Sequence, residues 1–171
     1  MNSTLFFLSL LEIVIALLLS VAIFFTSFKI LKRLFFKQDE LGGKNTAFAI
    51  FTAGVFISIG IILSELVPSI TNVVRFSVLN PDEIGMAKVI TYAGSTLFIG
   101  FIIAVLINAS VFFLFSALTR GINEFKEIKE NNTSMAVLVA SILVAITLIV
   151  KNTIAVMISA LVPFPEVANF L

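Results

Sequence analysis

Residues 45–67 read NTAFAIFTAGVFISIGIILSELV, an Asn-Thr pair followed by an apolar run with one acid, Glu65, near its end. Asn or Thr ahead of such a run can accept from the orphan N–H groups of a helix's first turn. About 20 mostly apolar residues, rising 1.5 Å each, match a hydrocarbon core about 30 Å thick. The stretch therefore predicts a membrane-spanning helix over Ala47–Val67. Three other runs have the same character: Leu5–Phe28, Val89–Leu118 and Met135–Val162. Because the runs are continuous instead of alternating with polar residues, helices are expected and a barrel is not.

Composition agrees. Of 171 residues, 60% are hydrophobic and 12% charged, and the mean hydropathy is +1.17. Soluble domains carry about 25% charged residues, so this chain cannot coat a water-facing surface. The net charge of +1 argues against nucleic acid as a partner. Without Cys or His there are no disulfides, no thiolate or imidazole metal ligands and no cysteine or histidine catalysis. The expectation is an all-α integral membrane protein with four transmembrane helices and no metal or cofactor.

Basic residues orient the spans. Lys29, Lys32, Arg33, Lys37 and Lys44 follow the first run, and Arg120, Lys126 and Lys129 follow the third. The middle connection has only Arg75 and Lys88. The positive-inside rule puts both richer loops in the cytoplasm and both termini outside. The first run lacks a basic leader and is too long for a cleaved signal peptide, so it is expected to be retained. The acceptor-like Asn131-Asn132-Thr133 would face the cytoplasm, which discounts glycosylation.

The chain also aligns with itself at an offset of 87 residues. The costly identities are Arg33/Arg120, Glu40/Glu127, Asn45/Asn132 and Thr46/Thr133, set among many apolar matches. This predicts a duplicated two-span hairpin, residues 1–87 and 88–171, in one bundle. An even number of spans per copy makes the repeats parallel, unlike the inverted repeats of many transporters. Asn45, Thr46, Asn132 and Thr133 are the expected caps of the even spans.

A mixed-charge loop leading into Asn45–Ile50, and again into Asn132–Val137, within a duplicated hairpin resembles the YjfL-type family of bacterial inner-membrane proteins. The resemblance covers residues 5–162 and is carried by a short motif. It implies a four-span protein of the bacterial cytoplasmic membrane with a domain of unknown function, and supplies no reaction. Gly54 and Gly60 in the first copy become Ser141 and Thr147 in the second.

Polar residues inside the runs are the candidate functional positions, because a charge there costs about 2.5–3.5 kcal/mol on insertion scales. They are Glu12 in the first run, Glu65 in the second and Lys151 in the fourth. In the repeat Lys151 aligns with Ser64, beside Glu65, so the expected cluster pairs Lys151 with Glu65 or with Glu12. Glu65 as an interfacial acid near Pro68, and Lys151 reaching outward along its stem, are the plainer alternatives. Asn108 and Asn152 are candidates for interhelical hydrogen bonding. Tyr92 is the single aromatic of the membrane-belt type. Ser69–Leu79 is apolar enough to lie at the interface or to continue the second span, and Ile122–Glu130 reads as a short amphipathic helix.

No phosphate-binding glycine loop, metal-ligand cluster or nucleophile–base set is present, so an enzyme is not expected. One reading is an oligomerising helical bundle, a homo-oligomer or the subunit of a membrane-protein partner. The alternative is an ion channel or a cation- or proton-coupled transporter of a small solute that uses Glu12, Glu65 and Lys151.

Overall fold

The computed structural model describes residues 3–35, 45–79, 85–119 and 122–162. The elements are α1 (Ser3–Phe35), α2 (Thr46–Ser64), α3 (Val67–Leu79), α4 (Met86–Leu118), α5 (Glu124–Lys129) and α6 (Thr133–Leu161). No strand occurs among the described residues. Among the described residues three segments are long and apolar enough to cross a membrane: Thr46–Ser77, Ala87–Ala117 and Thr133–Leu161.

The chain separates into two compact units, Met1–Asn45 and Thr46–Leu171. The first unit is α1, whose last turn carries Lys32 and Arg33. Cations there suit the negative end of the helix dipole. The helix thus runs past the apolar stretch ending at Phe28 and takes in the first basic residues.

In the second unit α2 is the central helix, packing most extensively on α6 and also on α4. In its most apolar window 56% of residues are buried, against 22% in the spans of α4 and α6. Helices α2 and α6 run parallel. Ala47 meets Asn131, Gly54 meets Ala140 and Ser58 meets Thr147 as the two chains advance together. Helix α4 runs the opposite way: its Phe112 lies against Phe51 early in α2, and its Gly100 lies against Leu63 and Leu66 late in it.

Burial on α4 follows one stripe, Val89, Tyr92, Thr96, Gly100, Ala104, Asn108 and Val111, the three-and-four spacing of a single helix face. Tyr92 is not at a solvent-facing belt. It is buried with Val73 and Val89, where α3 packs on α4.

Between α2 and α3 the chain turns at Glu65 and Leu66. Pro68 explains the break. It has no N–H to give Ser64, and its ring crowds the carbonyl four residues back. The ladder tightens there, with Glu65 N–H donating to Ile62 O and Leu66 N–H to Leu63 O. The Ser64 hydroxyl donates to the Ile61 carbonyl, which Glu65 would otherwise have served. Helix α2 alone is about 28 Å long, close to one hydrocarbon thickness. Instead of ending at Val67, the second span-length segment runs through the turn to Ser77, so Ser69–Leu79 continues it within α3.

Candidate functional site: paired polar groups between α2 and α6

Close approach of α2 and α6 begins at Gly54. A Cβ built there would lie 2.5 Å from the Ala140 Cβ and 2.8 Å from its Cα. Only a glycine allows the second helix's backbone so near, the usual device for helix association in lipid, where hydrophobic burial offers no drive. One turn further on, the fully buried Ser58 and Thr147 hydroxyls are 2.5 Å apart. In the alignment at an offset of 87 residues Thr147 stands opposite Gly60. Its hydroxyl gives Ser58 an interhelical partner that a second glycine would not.

At the α3 end of the same seam, Lys151 Nζ lies 2.5 Å from Glu65 Oε1. Their side chains keep 31% and 29% of their exposure, so the pair is half-buried. Lys151 is 18 residues into α6 and Glu65 is 19 residues beyond Thr46, equivalent to about 27–29 Å of helix rise. Both therefore reach the same depth, near one boundary of the core. The turn forced by Pro68 presents Glu65 at that level.

The other expected positions are distributed differently. Glu12 falls on α1, and its side chain lies outside the described residues. Asn108 is buried at 6% exposure. Its Nδ2 donates to Ala104 O within its own helix, not across helices. Among the described residues its Oδ1 has no partner, like the buried hydroxyls of Thr52 and Thr96. Asn152 is exposed, so within this unit it is not an interhelical bridge.

At the α5 end the caps are shared between segments. Asn132 Oδ1 accepts from Met135 N–H at the start of α6, and its Nδ2 donates to Glu127 Oε2 at 2.7 Å. Thr133 is the first residue of α6 and is exposed; Thr46 is the first of α2, preceded by Asn45. The second N–H of α2, on Ala47, is accepted by Asn131 Oδ1. Asn131 has φ +69°, a conformation that Asn tolerates better than other non-glycine residues. A residue from the loop before α6 thus caps α2.

Residue-by-residue reading missed Glu124, one acid among several in a charged loop. It is buried to 1% exposure. Ser116 donates to its Oε2 at 2.6 Å and Thr119 donates to its Oε1. Asn123 caps the short helix by accepting from Lys126 N–H. Phe125 packs edge-on against Phe112, which packs in turn on Phe51, so α5 is tied to both α4 and α2.

Burial is the largest influence on the Glu124 carboxyl and raises its pKa. The hydrogen bonds from Ser116, Thr119 and its own backbone together outweigh burial and hold the value below the usual range. A depressed folded value means the stabilisation is present at neutral pH and is lost as pH falls through that value. Accordingly, melting in detergent should show a loss of stability for the wild type as pH falls below about 4. Glu124→Gln should be less stable at pH 7 and much flatter across that acid range; an unchanged slope would refute the assignment.

Chemically, these groups pair with one another. Among the described residues no group of three or more His, Cys, Asp or Glu could hold a metal ion. The described residues form an all-helical protein with helices long and apolar enough to cross a membrane, held together by buried and half-buried polar pairs. The chain belongs to the family described as Domain of Unknown Function (DUF350), whose model matches residues 4–154. No curated protein and no solved structure matches it.

Proposed function

We propose that this chain is a non-enzymatic, four-span protein of the bacterial inner membrane, of the YjfL type, that acts as an oligomerising bundle or partner subunit. The observation that carries the reading is the consumption of polar groups in the α2–α6 seam. Ser58 is spent on Thr147 and Glu65 on Lys151, where a conduction path would leave such groups facing water. The basic loops put the α5 end in the cytoplasm and both termini outside.

The offsets support two parallel hairpin repeats. Contacts between α2 and α6 join residues 84, 86 and 89 apart, bracketing the 87 of the sequence alignment. A near-equivalent register is what two copies sharing one orientation would produce.

One observation favours transport as the second reading. Thr52, Thr96 and Asn108 keep buried oxygens on α2 and α4 without partners among the described residues, and such atoms ask for water or an ion. Native mass measurement and liposome flux across proton and potassium gradients separate the readings. The packing reading expects a stable oligomer with no protein-dependent flux. Flux abolished by Glu12→Gln or Lys151→Met would instead establish transport.

A further inference from the structure

Two contacts fix the register of α2 against the antiparallel α4. Phe51 meets Phe112 ring to ring, and Leu63 meets Gly100. From 51 to 63 and from 100 to 112 the separation is the same 12 residues. Thr52 therefore lies level with Val111, and Val55 with Asn108, which leaves Thr52 and Asn108 about 4.5 Å apart in height. At about 100° per residue, Thr52 falls between Phe51 and Leu63 around α2, and Asn108 between Gly100 and Phe112 around α4. Both side chains thus point into the α2–α4 seam, where each keeps 6% of its exposure.

Their bonding sets them apart from similar residues nearby. Thr26 and Thr91 return the hydroxyl proton to the carbonyl four residues back in their own helices, a habit of helical threonine. Thr52 does not, and its Oγ1 has no partner among the described residues. Asn108 spends its Nδ2 on Ala104 O, and its Oδ1 is left over in the same way. One seam therefore holds a hydroxyl and an amide oxygen that neither the helices nor hydrocarbon satisfies.

We infer that Thr52 and Asn108 hold one water molecule between α2 and α4. Water accepts from the Thr52 hydroxyl and donates to Asn108 Oδ1. Its second proton goes to a helix carbonyl, which has a lone pair to spare. Three bonds of this kind are typical of a buried water. A metal cation is the rival occupant, and the charges oppose it. Helix α2 has no charged residue and α4 only Lys88. Glu65 is held by Lys151, and Glu124 by Ser116 and Thr119. Two neutral oxygens neither balance a cation's charge nor replace its water shell. With water in place, two of the three oxygens that favour transport become part of the packing, and the site stands whether or not the chain oligomerises.

The test uses the full chain in deuterated detergent with labelled valine methyl groups, which do not exchange with solvent. Rotating-frame cross-relaxation should give water peaks at Val55 and Val111, and none at Val139, buried in the α2–α6 seam. Thr52→Val keeps the shape and removes the hydroxyl, so both peaks should vanish; Thr52→Ser should keep them. Thr52→Val and Asn108→Leu should each lower the melting midpoint, and the double variant should fall by less than the two losses together, because the singles dismiss the same water. Absent peaks in the wild type, peaks that survive Thr52→Val, or additive losses would overturn the site. Coupled losses without water peaks would mean that Thr52 and Asn108 bond directly. A midpoint raised by sodium or potassium over choline at equal ionic strength, and no longer raised in Thr52→Val, would make the occupant a cation and overturn water.

Discussion

Gly54→Val is expected to be the most damaging single substitution in the second unit. The first added carbon would lie 2.8 Å from the Ala140 Cα, and a backbone atom cannot turn aside as a side-chain tip can. The helices must part, and every contact along the seam then lengthens together, including the buried Ser58–Thr147 hydrogen bond. Overpacking of a tight core costs about 1–3 kcal/mol, and the loss of close helix contact adds to that. Unfolding in a denaturing-detergent titration should shift by at least that range. Gly100→Ala gives the contrast. Its new methyl meets the Cδ1 of Leu66, the far end of a flexible side chain, so a small shift is expected. Equal effects at the two glycines would show that α2 and α6 are not held as closely as described.

The second large effect belongs to the Lys151–Glu65 pair. Removing either partner leaves the other charge half-buried near the edge of the hydrocarbon, where an unpaired charge costs up to about 3 kcal/mol. Lys151→Met and Glu65→Gln should each destabilise by about 1–2 kcal/mol, reduced from that limit because both side chains keep about a third of their exposure. The double variant should cost less than the two singles together, since replacing both partners leaves no orphan charge. Strictly additive losses in the same titration would mean that the two side chains do not stabilise each other.

The apolar runs were readable because a bilayer imposes one length and one solvent on every span, so composition alone marks α2, α4 and α6. The expectation of a repeat came from Arg33/Arg120 and the Asn-Thr pairs, which stand out against an apolar background. The second run was expected to end at Val67, beside Pro68, and its continuation into α3 depends on how Val73 packs on Val89 and Tyr92, which no local pattern contains. Asn108 and Asn152 looked alike as polar residues in spans. Their different fates, one buried and bonded to its own helix and one exposed, follow from which helical face meets α2. Glu124 was hidden for the opposite reason. Its partners Ser116 and Thr119 lie at the end of the preceding helix and just past it, and in a row of acids only three-dimensional closure tells the buried one from those in water.

The Asn131 side chain that receives the Ala47 N–H has a bearing on biogenesis. Asn131 follows Ala47 by 84 residues, so the first turn of α2 leaves that N–H to water until the loop before α6 folds back onto it. A product truncated before residue 131 would lack this cap.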